Sequence, residues 1–191
     1  MRTSLIASGL ACRFKAANGP FVTAQTLRRG RLTFTELKTD RCEPYETGPR
    51  VVEDAIVIVM QLRAYRGFQF WEQGRKAPTC DFQPGDLTIN DMRFEGRAII
   101  DQPLHALYCH IPFNAIIDVV GAEFWGRTSA LSYSPGQGFE DATIRNLLLS
   151  VSQAIHSCSR DRHLYLDHVA VALVAHLVAV RGDALSRRFA A

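Results

Sequence analysis

The side chains with the most chemical potential are five residues in two short runs. His105 and His110 flank Cys109 in Leu104-His-Ala-Leu-Tyr-Cys-His-Ile-Pro112, and His168 and His176 interrupt the apolar run from Leu164 to Val180. Imidazoles can hold a divalent metal or move a proton near neutral pH, and a thiolate beside a base can act as a nucleophile. Spacing argues against each use. A metal needs three or four converging ligands, but residues five apart in a strand face opposite ways, so His105 and His110 offer at most one inward ligand. His168 and His176, eight apart, could share a helix side, yet no carboxylate is aligned with them. Cys109 and His110 are strand neighbours whose side chains point apart, so Cys109 reads as a small buried hydrophobe. The sequence also lacks G-x-S-x-G, H-E-x-x-H, a phosphate loop and G-x-G-x-x-G. Neither a metal, a cofactor nor a catalytic residue is expected.

What remains is a binding chemistry. Ligand pockets join apolar walls to a few convergent polar groups. Gln61, Arg63, Trp71, Tyr108 and His110 are the polar or aromatic residues set into otherwise apolar strands, with His105 as the opposite-face alternative. Gln61 and Arg63, two apart, fall on one strand face.

The elements that must position these residues are legible from periodicity. Leu32 to Leu37 alternates with period two, and Asp54 to Arg63 opens the same way and then becomes almost wholly apolar, as a buried strand does. Gly67 to Glu72 and Ala77 to Phe82 form a hairpin about Gln73-Gly-Arg-Lys76. Pro84-Gly-Asp86 turns the chain into Leu87 to Asn90, and Arg97 to Ile100 and Leu104 to Ile111 complete the set. Short strands with Gly, Pro and Asp turns predict an antiparallel barrel or sandwich. At Pro112 the pattern changes. Proline suits the first helical position, Ile116, Ile117, Val119 and Val120 give the helix an apolar side, and Gly121 can close it. A second helix follows Glu140 and Asp141, with Ile144, Leu147, Leu148, Val151 and Ile155 at helical spacing and His156 and Arg160 near its end. The last, Leu164 to Val180, stops at Gly182. Leu166, Val169, Leu173 and Leu177 line one side of it, and Val171, Val174 and Val178 make the others apolar, so these three valines are expected to lie in a dimer interface.

At 191 residues and 47% hydrophobic, the chain can bury one good core. Residues 1–50 carry nine Lys/Arg against four Asp/Glu, and residues 51–191 thirteen against fifteen. This is not the charge pattern of a nucleic-acid surface, and Arg28-Arg-Gly-Arg31 reads as a solvated turn between strands. Five scattered cysteines without a C-x-x-C pair predict no disulfide framework and a cytoplasmic protein. The amino terminus has too short and interrupted an apolar run for an export signal. The Leu164–Val180 run is broken by Asp167, His168 and His176, so no membrane association is expected.

Taken in order, Gln61-Leu-Arg63, Phe70-Trp-Glu-Gln-Gly-Arg75, Pro84-Gly-Asp86-Leu-Thr-Ile, Leu104 to Pro112 and Leu166 to His176 resemble the amino-terminal sensing domain of AraC/XylS-family transcription regulators over roughly residues 50–182. The resemblance implies an α+β fold: a cupin-like, jelly-roll antiparallel barrel followed by a helical dimerisation segment. It implies a β-rich sensing domain with an amino-terminal arm over residues 1–111, dimerising helices over 112–182 and a tail over 183–191. It further implies a homodimer, a barrel that receives either a small-molecule effector or a partner signal, and DNA binding by helix-turn-helix units that these residues do not include. Metal-binding cupins carry a His-x-His with a following Glu in the hairpin that here runs from Gly67 to Phe82 without histidine, so the metal does not carry over. A small cupin enzyme with a single active site and a ligand-free interaction module stay open as alternatives.

Overall fold

The computed structural model describes residues 2–17, 19–128, 131–157 and 161–182. The tail 183–191, Cys158 and Arg160 lie outside the described residues. Among the described residues ten strands form two antiparallel sheets. The first has the order β1 (Phe21–Gln25), β2 (Arg31–Thr39), β10 (Leu104–Pro112), β4 (Ala55–Gln61), β8 (Leu87–Asp91). The second runs β3 (Tyr45–Glu46), β9 (Gly96–Ile100), β5 (Tyr65–Glu72), β6 (Arg75–Lys76), with β7 (Cys80–Phe82) also on β5. Along the chain β2, β4, β8 and β10 enter the first sheet while β3, β5 and β9 enter the second. This alternation is the winding of a cupin-like jelly roll.

Period-two alternation decides which residues see the interior. On β4, Val57 and Val59 join the cluster between the sheets with Leu37, Phe70, Phe82 and Tyr108, whereas Ile56, Ile58 and Met60 join a second cluster behind the first sheet. Every residue of β4 is buried, which is why its sequence reads as continuously apolar. On β5 a register shift between Tyr65 and Phe68, with Gly67 at φ 64°, turns Phe68 and Phe70 toward the interior. The β5–β6 hairpin turns on Gln73 and Gly74, both at positive φ (48° and 75°), as a two-residue hairpin requires.

The helices α2 (Phe113–Val120), α3 (Ala122–Thr128), α4 (Ala142–Ile155) and α5 (Arg162–Arg181) follow β10 and cover the outer face of the first sheet. Pro112 is the last residue of β10 and the N-cap of α2, at φ −63° and ψ 147°. Gly121 ends α2 at φ 87°, its N–H donating to Ile117 O. Asp141 caps α4 by accepting from the Ile144 N–H at 2.9 Å, and His176 Nε2 on α5 lies 2.9 Å from its other oxygen. The outer face of the first sheet and the helices therefore pack into one cluster, apart from the cluster between the sheets.

Two expectations change. The amino-terminal arm, for which no element was expected, carries a helix, α1 (Arg2–Arg13), that buries Ala7, Ala11 and the following Phe14. The valines of α5 also differ from expectation. Val174 and Val178 are 0% and 2% exposed and belong to the core behind the first sheet, and only Val171 is half-buried. Helices α2 and α4 and strand β1 wrap α5 on more than one side, so a helix apolar nearly all round is satisfied largely within one subunit. By length and composition α5 could cross a bilayer, yet Leu166, Leu173, Val174 and Leu177 are fully buried in the core.

The basic turn at Arg28–Arg31 is a docked loop. Asp118 on α2 accepts from the Arg29 N–H at 2.7 Å, from Thr26 Oγ1 at 3.0 Å and from the Gly30 N–H. Gly30 lies so close to α2 that a Cβ there would sit 2.4 Å from Ala115 Cα. A Gly30→Ala variant must therefore push backbone from backbone. We expect it to lose about 1–3 kcal/mol, the usual range for overpacking, read as a lower midpoint in urea unfolding.

Candidate functional site

A pocket of about 240 Å³ lies against the inner face of the first sheet, with walls from α1, β2, β4, β10, the β3–β4 loop and Met92. A second, inner chamber of about 80 Å³ continues from it, and Leu10, Arg13, Arg50, Val57, Met92 and Tyr108 line both. Helix α1 forms one wall, with Ile6, Leu10 and Arg13 at helical spacing on one side. Strand alternation supplies the rest: Thr33 and Thr35 from β2, Val57 from β4, Tyr108 and His110 from β10. The inner chamber is walled further by Phe68, Phe70, Phe82, Val59 and Leu104, and Gln61, Thr88 and Asn90 add to the polar groups of Arg13, Arg50 and Tyr108.

Two arginines dominate the electrostatics. Arg13 Nη2 donates to Gly96 O at 2.8 Å and reaches Thr47 Oγ1 at 3.4 Å, and its Nε has no hydrogen-bond partner. Burial, reinforced by the positive charge of Arg50, lowers its pKa to about 10. The Arg50 side chain is 2% exposed; its Nη2 lies 3.7 Å from Glu72 Oε1, beyond hydrogen-bond reach, and its Nη1 faces the weak acceptor Met92 Sδ at 3.7 Å. Burial lowers the Arg50 pKa, against the pull of Glu72. Burial raises the pKa of Glu72, although Tyr133 donates to its Oε2 at 3.0 Å and Arg50 stands near. Gly96 supplies the room for this arrangement, since a Cβ there would stand 2.1 Å from Arg50 Nη2.

At the outer end His110 Nε2 lies 2.9 Å from Glu53 Oε1, and that hydrogen bond holds the Glu53 carboxyl below its ordinary pKa. The other ring nitrogen of His110 is buried without a partner, as is Gln61 Oε1. Buried polar atoms left unpaired cost about 1–3 kcal/mol each, and four side chains that carry such atoms, Arg13, Arg50, Gln61 and His110, line these two chambers.

Of the residues expected from sequence, Gln61, Tyr108 and His110 come together here. Arg63 does not. Strand β4 ends at Gln61, and Arg63 lies in the bend beyond it, exposed and 3.3 Å from Asp40 Oδ1. Trp71 is also elsewhere, because the inward positions of β5 belong to Phe68 and Phe70; its ring is flanked by Lys76 and Arg97, 5.2 and 5.0 Å from the centroid. His105 is on the opposite face from His110, as expected, 2.7 Å from Glu36 Oε1; His156 lies 2.8 Å from the other oxygen of Glu36. Among the described residues no three His, Cys, Asp or Glu side chains gather as metal ligands.

Sequence reasoning missed Arg13, Arg50, Glu53 and Met92. The spacing Ile6, Leu10, Arg13 was a legible helical signal. Arg50, after Gly48-Pro49 in an irregular stretch, carried none, since only the tertiary fold brings it into the barrel.

No protein-family model and no curated protein matches the sequence. Among solved structures the fold is similar to the crystal structure of the AraC-like transcriptional activator CuxR, with a TM-score of 0.52 and 12% identity over 81% of this chain and 54% of that one. This chain thus spans about half the length of that activator, and at this identity the likeness is one of fold. Weaker similarities, with TM-scores of 0.34 and 0.31, reach KdgF from Halomonas sp. (15% identity, 48% of this chain and 76% of that one) and a predicted oxalate decarboxylase from Thermotoga maritima (14%, 51% and 96%).

Proposed function

We propose that this chain is the small-molecule-sensing and dimerisation part of an AraC-type transcription regulator, not an enzyme, and that it works in the cytoplasm by shifting a DNA-binding segment between states. The observation that carries the reading is the pair of connected barrel chambers lined by Arg13, Arg50, Gln61 and His110, each with an unpaired, buried polar atom. A binding pocket needs this combination of apolar wall and sparse polar anchors. An enzyme would need a base set against a nucleophile or a ligated metal. The fold likeness to an AraC-like activator supports the same reading.

A ligand in this cavity would touch α1, β2, β4 and β10 together. Strand β10 leads directly into α2, so the pocket and the helical layer are mechanically continuous. The dimer contact is assigned to a second copy of the chain through the outward side of α5, where Leu164, Tyr165 and Val180 are exposed beside Ala172, Ala175 and Ala179. Of the three valines expected there, only Val171 borders this side.

The test joins the chain to a DNA-binding domain that works only as a dimer and reads a reporter gene in cells. Reporter output that requires the chain, responds to added small molecules and falls at least about fivefold in a Leu164→Lys, Val171→Lys variant supports the reading. Output indifferent to every compound, or one zinc, iron or manganese per purified chain, overturns it in favour of the cupin-enzyme alternative. Sequence-selective retention of duplex DNA by the unfused chain at physiological salt would also contradict it.

A further inference from the structure

The polar atoms that face the cavity do not call for a neutral ligand. Arg13 and Arg50 are buried beside each other, and the side chain that offsets them is Glu72, whose Oε1, itself without a hydrogen-bond partner, stands 3.7 Å from Arg50 Nη2 while its Oε2 accepts from Tyr133, so that one carboxylate faces two guanidinium groups. Arg50 Nε and Nη2 and Arg13 Nε have no hydrogen-bond partner. A guanidinium presents five donors in a fixed fork that suits a carboxylate, and burying donors and charge without partners is costly. The missing complement is therefore an acceptor that carries negative charge. Its place is set by the other groups. Glu53, with His110, occupies the outer end of the larger cavity, where a second anion would be repelled. The inner chamber next to Arg50 is walled by Phe68, Phe70, Phe82 and Val59, an apolar lining that takes a hydrocarbon body. Gln61 Oε1, also unpaired there, can accept from a hydroxyl or N–H on that body.

Resting on the sensing reading above, we propose that the barrel binds a small organic carboxylate with an apolar body, its carboxylate held by Arg50 with Arg13 beside it and its body extending into the chamber of Phe68, Phe70 and Phe82. Volumes of about 240 and 80 Å³ lie near or below the lower bound for drug-sized ligands, which limits the guest to a single ring or a short chain.

Calorimetric titration of the purified chain with 3-phenylpropionate and its neutral, nearly isosteric amide, 3-phenylpropionamide, tests this directly. The acid is expected to bind at least about tenfold more tightly than the amide, and Arg50→Met to remove that preference by weakening the acid while leaving the amide within about twofold. The same variant should melt at a higher temperature than the wild type without ligand, because an incompletely paired buried cation gives way to an apolar side chain of similar length. A guanidinium serving only the fold would give the reverse. Should Arg50→Met not fold, the acid–amide comparison on the wild type decides alone, with Arg50→Lys expected to lose at least about fivefold for the acid. Equal binding of acid and amide, or acid binding untouched in Arg50→Met, overturns the carboxylate assignment and leaves the sensing reading standing. Failure of the acid and amide with binding of a neutral sugar or alcohol does the same. Failure of all of these at millimolar concentration overturns both.

Discussion

Lysine introduced at both Val174 and Val178 is expected to unfold the protein, whereas lysine at Val171 alone should leave it folded. All three valines lie on the apolar helix α5, but the first two are buried with Leu148, Leu173 and Leu177 between the helices and the first sheet. Each substitution would remove a packed side chain, worth about 1.5–3 kcal/mol of burial, and force an ammonium either into an apolar core or out through displaced helices. Against a whole stability of about 5–15 kcal/mol, a pair of such changes exceeds what a domain of this size tolerates. The readout is loss of the cooperative thermal transition and of near-ultraviolet dichroism. A cooperatively melting double variant would mean that α5 is not packed as described.

Acidification is the second perturbation with a large effect, and its sign follows from the carboxylates. The Glu36 carboxyl is held below its ordinary pKa: burial opposes this, and the hydrogen bonds of His105 and His156 outweigh it. At Asp141 burial is again outweighed, here by the Ile144 N–H and His176. At Asp118 the N–H groups of Gly30 and Arg29 with Thr26 do the same, and His110 lowers Glu53 directly. A carboxylate whose pKa is lower folded than unfolded contributes stability that is complete above the unfolded value, near pH 4, and is lost as pH falls through the folded one. Stability should therefore drop steeply below about pH 4, by up to about 1.4 kcal/mol per pH unit for each extra proton the unfolded chain binds. Glu72 works the other way, because burial raises its pKa and protonation relieves it. Four carboxylates outweigh one. Denaturant titrations between pH 3 and 6 measure the slope, and Glu36→Gln should make it shallower, with a loss confined to the neutral end. An unchanged slope would show that the bridge from Glu36 to β10 and α4 has no part in holding the helical layer to the barrel.

These features differ in how far the amino-acid sequence alone reveals them. Wherever the determining interaction is local, the order of residues suffices. The alternation in Leu32–Leu37, the unbroken apolar run of β4, the Gln73-Gly74 turn, Asp141 before its helix and Gly121 after α2 all depend on neighbours within about four positions. The strand parity that puts His105 and His110 on opposite faces is local in the same sense, and so is the lack of a histidine in the hairpin from Gly67 to Phe82. The barrel, its helical layer and the absence of a recognisable catalytic motif could thus be read from sequence. The site could be read only in part. Gln61, Tyr108 and His110 were found because they interrupt apolar strands, but Arg63 lies two residues past the end of β4 and Trp71 shares its strand with a bulge that reverses the expected parity. Arg13 and Arg50 stand 37 positions apart on a helix and in an irregular loop, and their meeting across the mouth of the barrel depends on chain closure between elements with no pattern in common. Val174 and Val178 make the same point for the core. Helical periodicity shows that a face is apolar, and only the placement of β1, α2 and α4 around that helix decides whether its cover is another subunit or the chain itself.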